Sequence, residues 1–313
     1  MMTSHLATVA QLLASGGRGI LSVDEPRAAL DRRFGALGIP ATPERRRAFR
    51  ELIVGAPLIE RYAGAMILDD ETLRQSGSDG RRFTESLRRR DVVPGIALDA
   101  ATPFGELRAH LAECAALGAG FARLHAAPEA VDALAHAALV SQRSGIVPIV
   151  APAVAANGDR ERTLRRTFAA LAESGVALDA MVLECPPAPA VRAEPPGVAE
   201  VVAGTLRALG ATVPVAVAAI AFVADDTDER GAAEQLCALN RTAPRRRPWP
   251  LTFTYGRGLQ LAALDAWRGR DERVDLARRN TVHRAYCSGL AACGAYSAKA
   301  EASLYRVKIS LAA

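Results

Sequence analysis

Glu184 stands at the tip of an apolar run, in Val-Leu-Glu-Cys-Pro-Pro at 182–187, where a buried strand would turn into a proline-stiffened loop. A carboxylate at such a point has to be paired, solvated or protonated. Comparable positions recur along the chain. Asp24 closes GILSVD, Asp99 closes VVPGIALD, Arg123 and His125 lie in GFARLHA, and Arg257 follows TFTYG. A carboxylate and an imidazole can act as general acid and base, and arginines fork onto carboxylate or phosphate. Glu184 and His125 are therefore the candidate acid–base pair, with Arg123 and Arg257 as candidate anion holders. Each residue also has a purely structural reading. Asp24 would pair with Arg32 or Arg33, Asp99 would accept loop amides, His125 would be a core histidine, and Glu184 would be the ion-pair partner of Arg123.

Positioning these groups requires the elements around them. Eight short runs rich in Val, Ile and Leu are bounded by Gly or Pro, at 19–24, 64–70, 92–99, 120–126, 145–152, 180–186, 213–222 and 250–256. They read as parallel strands buried on both faces. Between them lie amphipathic stretches with apolar residues at i, i+3, i+4 and i+7. Thr42 before Pro43 and Thr102 before Pro103 are candidate helix N-caps, and Gly118 and Gly175 are candidate C-terminal glycines. Eight alternations without a linker predict an α/β fold, a single (β/α)8 barrel (TIM barrel) over residues 1–313, with a two-domain doubly wound sheet as the alternative. In such a barrel the site opens at the C-terminal ends of the strands, where all the residues above fall. Residues two apart on a strand share a face, so Arg123 points with His125 and Ala97 with Asp99, and if Glu184 faces the mouth then Cys185 faces away.

Composition narrows the function classes. Half of the 313 residues are hydrophobic, enough for a sizeable core. The formal charge is +5, but the arginine runs ERRRAF, LRRRD and PRRRPW are short, two of them have an acid alongside, and few aromatics interleave them. They read as solvated helix faces and loop ends, with no nucleic-acid partner expected. No apolar stretch reaches the roughly 20 residues of a membrane span, so no membrane partner is expected. The first residues carry no secretory pattern, so a cytoplasmic location is expected. The five scattered cysteines, Cys114, Cys185, Cys237, Cys287 and Cys293, read as small buried hydrophobes. The only lysines are Lys299 and Lys308.

Longer segments carry a resemblance. GRGILSVDEPRAALDRRFGALGIPATPERRRAFRELI, GAMILDDETLRQ, VPGIALD, GAGFARLHA, SGIVPIVAPAV, NGD and PWPLTFTYGRGLQLAALDAWRGR resemble, in order and spacing, segments of class I fructose-bisphosphate aldolases. The resemblance covers nearly the whole chain and implies a (β/α)8 barrel, a homo-oligomer, and a C-terminal tail, here 296–313, over the barrel mouth. It also implies a Schiff-base lysine at the end of strand six, and that position is Glu184, which cannot form an imine. The strand-five acid and the acid two residues on match Ala151 and Ala153, the strand-three lysine matches Ala97, the strand-four lysine matches Arg123, and the arginine after it matches His125. The phosphate loop after strand seven is replaced by VADDTDERG, where Asp225 and Asp226 would repel phosphate. Asp24 and Asp99 match family aspartates, Arg32 and Arg33 match a basic pair, and Tyr255-Gly256-Arg257 matches the strand-eight motif whose arginine meets a substrate phosphate.

The expectation is thus a repurposed, lyase-like enzyme acting without an imine on a small polar or zwitterionic carbonyl or carboxylate metabolite. Glu184, His125 and Asp24 would be catalytic, with Arg123, Arg257, Asp99 and Arg33 binding substrate, and no cofactor is needed. The alternative is a non-catalytic metabolite- or partner-binding protein, in keeping with the alanines at 97, 151 and 153. A third reading is a metal-dependent lyase, with a divalent ion on Asp24, Asp99, Glu184 and His125.

Overall fold

The eight apolar runs form eight parallel strands: β1 (Gly19–Val23), β2 (Ala63–Leu68), β3 (Val93–Asp99), β4 (Phe121–Ala126), β5 (Val147–Pro152), β6 (Val182–Cys185), β7 (Ala219–Val223) and β8 (Leu251–Tyr255). In this computed structural model, which describes residues 2–153, 160–186, 197–223, 229–242 and 247–303, each strand pairs with the next and β8 pairs with β1 to close the barrel. The (β/α)8 architecture is therefore the one expected from the alternation. The helices are α1 (Met2–Leu12), α2 (Arg27–Ala36), α3 (Pro43–Val54), α4 (Asp70–Arg74), α5 (Phe83–Arg88), α6 (Phe104–Ala116) and α7 (Val131–Arg143). They continue with α8 (Arg160–Glu173), α9 (Val198–Thr212), α10 (Glu229–Arg241), α11 (Arg257–Trp267), α12 (Val274–Ala292) and α13 (Ala298–Ala302). None of the described helices is long and apolar enough to cross a membrane.

Two apolar layers hold the barrel. The outer one lies between sheet and helices and takes residues such as Leu21, Val23, Leu183, Cys185, Phe253 and Tyr255. The inner one fills the barrel with Ile20, Ala65, Ile67, Phe121, Val147, Ile149, Val182, Ala219 and Ala221. Strand alternation separates the two sets. Leu6, Ala10, Leu13 and Ala14 join the inner set. The opening segment, read in sequence only for targeting signals, is thus a plug for the N-terminal end of the barrel.

Local signals held in part. Thr42 caps α3, accepting from the Arg45 amide at 3.3 Å. Gly118 and Gly175 follow α6 and α8 with φ of +100° and +76°, values an L side chain rarely adopts. Thr102 does not cap α6, because the cap position is Pro103, with no side-chain hydrogen bond. The apolar run at 213–222 becomes a strand only from Ala219. Its first half leaves the ladder because the Pro214 carbonyl accepts from Val217 N at 3.2 Å and from the Trp249 indole at 2.8 Å. Four of the five cysteines are buried as expected, but Cys293 is exposed.

Candidate functional site

The strand ends bring the expected residues to one face of the barrel. The most buried of them is Glu184, 2% exposed. It faces inward while Cys185 faces the outer layer, where burial pushes its thiol up to about 12. Glu184 Oε1 accepts from Arg123 Nε at 2.7 Å and lies 2.6 Å from Nη2. Its Oε2 is buried with no hydrogen-bond partner among the described residues. Burial would lower the Arg123 pKa, but the Glu184 carboxylate outweighs it and holds the guanidinium firmly charged.

Arg123 reaches from this pair into a cavity of about 450 Å³ at the mouth. The other charged residues lining it are Asp24, Glu25, Glu229 and Arg257, and Ser22, Thr254 and Gln260 supply polar groups. Asp24 follows β1 and accepts from the Ser22 hydroxyl. Glu25 accepts from Arg33 Nε at 2.5 Å, so Arg33 on α2 is tied to an acid of the loop that leads into that helix. Gly256 is required where it stands, because a Cβ there would lie 2.4 Å from the Ser22 carbonyl oxygen. Buried Arg50 braces this wall from beneath. It donates to Gln260 Oε1 at 2.7 Å and to the Glu25 carbonyl at 2.9 Å, while Gln260 donates to the Ser22 carbonyl at 3.0 Å.

The other expected residues lie apart from that cavity. His125 is exposed and pairs in register with Asp99 on β3 and Ala151 on β5. Two strand spacings, about 9–10 Å, separate β4 from β6, and no hydrogen bond joins His125 to Glu184 among the described residues. Asp99 is exposed and accepts from the Ala101 amide at 2.9 Å. Among the described residues no three His, Cys, Asp or Glu side chains gather as a metal-binding group. Lys299 is exposed on α13. Asp225, Asp226, Ala224 and Lys308 lie outside the described residues.

Two residues of the wall were not foreseen. Glu229 opens α10 and is buried enough that its carboxyl pKa is raised, though Arg284 opposes this from 3.6 Å. In sequence it was one more acid of an acidic loop. Thr254 is 3% exposed with no partner for Oγ1 among the described residues. Its signal was the alternation on β8, where Phe253 and Tyr255 face outward.

A (β/α)8 barrel whose polar cavity opens at the C-terminal ends of its strands is the framework of a large class of barrel enzymes. The family model for class-I fructose-bisphosphate aldolase matches residues 5–119 and 117–310. A probable class 1 fructose-bisphosphate aldolase of Xanthomonas campestris pv. campestris is 35% identical, over 94% of this chain and 99% of that protein. The chloroplastic fructose-bisphosphate aldolase 3 of Arabidopsis thaliana is 32% identical, over 96% of this chain and 85% of that protein. The solved structure of the Plasmodium falciparum fructose-bisphosphate aldolase superposes with a TM-score of 0.87 at 29% identity, covering 95% of this chain and 96% of that one. The chain belongs to the class I fructose-bisphosphate aldolase family.

Proposed function

We propose that this chain works without an imine, as a lyase-like enzyme on a small polar or zwitterionic carbonyl or carboxylate metabolite. One observation carries the reading. The inward position at the tip of β6 is Glu184, buried against Arg123, and both lysines of the chain come after the last strand. An imine needs an amine facing the substrate carbonyl, and a carboxylate cannot replace it. The cavity has a volume suited to a small metabolite, and its mixed carboxylates and guanidiniums suit a ligand with charges of both signs.

In this proposal Arg123 and Arg257 hold the anionic end of the ligand and Asp24 is the proton-handling carboxylate inside the cavity. Glu184 acts through Arg123 as a positioning residue, and His125 and Asp99 stand at the rim. A homo-oligomer is carried over from the family, and a cytoplasmic location fits the five free cysteines. The second reading, a non-catalytic metabolite binder, draws on the same ion pair: Glu184 is engaged by Arg123, which leaves no acid–base pair with His125.

Calorimetric titration with fructose 1,6-bisphosphate tests the departure from the relatives' named substrate. No binding tighter than millimolar is expected, and a micromolar constant contradicts the proposal. Product analysis after incubation with a metabolite pool separates the two readings, since a binder returns every compound unchanged.

A further inference from the structure

The arginine run Leu-Arg-Arg-Arg-Asp at 87–91 closes α5, and its three guanidiniums have different surroundings. Arg90 donates to Glu60 and to the Val54 and Ala56 carbonyls, and Arg89 donates to Glu85 at 3.1 Å. Arg88 is exposed and makes no hydrogen bond or ion pair among the described residues. It lies beside Gly118, at the end of α6, where capping the last carbonyls would be the ordinary role of an arginine. That role is already filled. The Glu113, Ala115 and Cys114 carbonyls accept from the Leu117, Gly118 and Ala119 amides at 3.0, 2.9 and 2.9 Å.

Arg88 stands instead between two cavities that share it and Gly118. The first, of about 590 Å³, lies at the N-terminal ends of the strands, and its apolar lining includes Val9 and Leu12 of α1 with Val93 and Ala119. Leu12 is 43% exposed there. The second, of about 460 Å³, runs along α5. Where they meet, two polar groups converge. A Cβ built on Gly118 would lie 3.5 Å from Thr84 Oγ1 and 3.6 Å from Arg88 Nη1, and the glycine, at φ of +100°, leaves that space open. Thr84 is 2% exposed, yet its hydroxyl keeps access to the second cavity and forms no hydrogen bond among the described residues. A hydroxyl and a guanidinium aimed at one open point are donors for an anionic oxygen.

The charge around the junction has the matching sign. Arg18, Arg82, Arg88 and Arg89 line the two cavities against Glu85 and Asp91, together with His5. Glu85 is shared between Arg89 and Arg81. Arg18 donates to the Asp91 backbone carbonyl and the Ser15 hydroxyl, and Arg82 has no ion pair among the described residues.

We propose that this junction is a second binding site, for a small amphipathic anion of the medium-chain carboxylate class. The headgroup accepts from Arg88 and the Thr84 hydroxyl, and the apolar body lies in the groove against Val9, Leu12 and Val93. An apolar groove with a few convergent polar groups is the usual make-up of a small-molecule site. The site shares no residue with the mouth cavity.

Octanoate, acetate and octanol are titrated into the full chain by ligand-observed NMR. Octanoate is expected to bind at least about tenfold more tightly than acetate, from the methylenes it buries. It is expected to bind about tenfold more tightly than octanol, the effect of charge-assisted hydrogen bonds to the headgroup. Arg88→Met is expected to bring octanoate down to the affinity of octanol, and Leu12→Asp to weaken both. Thr84→Val is expected to weaken octanoate alone; if that buried substitution does not fold, Arg88→Met, at an exposed position, still decides. Arg257→Met, at the mouth, locates the anion and is expected to leave octanoate binding unchanged. Octanoate bound no more tightly than acetate or octanol overturns the proposal. So does a preference over octanol that survives Arg88→Met, or octanoate binding lost in Arg257→Met.

Discussion

Replacing Arg123 with Met strands the Glu184 carboxylate, and the consequence can be worked from the geometry. The carboxylate is 2% exposed, and Oε1 faces both Nε and Nη2 of Arg123 at 2.7 and 2.6 Å. Removing one partner of a buried pair costs about 3–5 kcal/mol, and the water-accessible cavity beside Arg123 favours the lower end, about 3 kcal/mol. An unfolding entropy of about 2.1 cal/mol/K per residue gives about 0.66 kcal/mol/K for this chain, so Tm falls by about 5 °C. Glu184→Gln is milder. The amide oxygen still accepts, and the Arg123 side chain is 25% exposed, so the loss is about 1–2 kcal/mol. In the Arg123→Met background, however, Glu184→Gln removes the stranded charge and raises Tm. Urea denaturation and thermal melts of the four proteins measure the cycle. If the two losses simply add, Glu184 and Arg123 are not coupled and the account of the mouth fails.

Acid should loosen α13 before it unfolds the barrel. Burial raises the Glu301 pKa, but Arg284 and the Tyr296 hydroxyl outweigh it and hold the carboxyl at about 2, against an ordinary 4.5. A depressed carboxyl stabilises the fold above its unfolded value, so this contribution is lost as pH falls from about 4.5 towards 2. Hydrogen exchange at Ala298–Ala302 should rise across that window, and Glu301→Gln should show faster exchange at neutral pH. Glu184→Lys alone should not give aldolase turnover in a coupled assay. The amine would stand beside Arg123, with alanine at position 151, and missing acid–base help costs about 10²–10⁴-fold.

The barrel was legible because its signals are local and repeated. Eight apolar runs set the strands, and the parity of Glu184 and Cys185 follows from alternation alone. The Arg123–Glu184 pair was legible for an energetic reason, since buried opposite charges facing inward from strands with only β5 between them must meet. Arg33 was assigned to substrate, yet it folds back onto Glu25, because the loop between β1 and α2 brings the two together and sequence spacing does not reveal that. The role of α1 as a plug depends on tertiary burial of Leu6 and Leu13, and the late start of β7 depends on Trp249 reaching the Pro214 carbonyl. Glu229 was hidden for a similar reason. Its position is fixed by the missing side chain at Gly258, on another helix, and nothing within VADDTDERG separates it from its acidic neighbours.

Borohydride reduction in the presence of dihydroxyacetone phosphate, followed by intact-mass and peptide mapping, tests the central claim most directly. With Glu184 at the tip of β6 and both lysines beyond the last strand, the protein should be recovered at its unmodified mass. A reduced adduct on Lys299 or Lys308 would mean that the C-terminal segment supplies the amine, and would contradict the account.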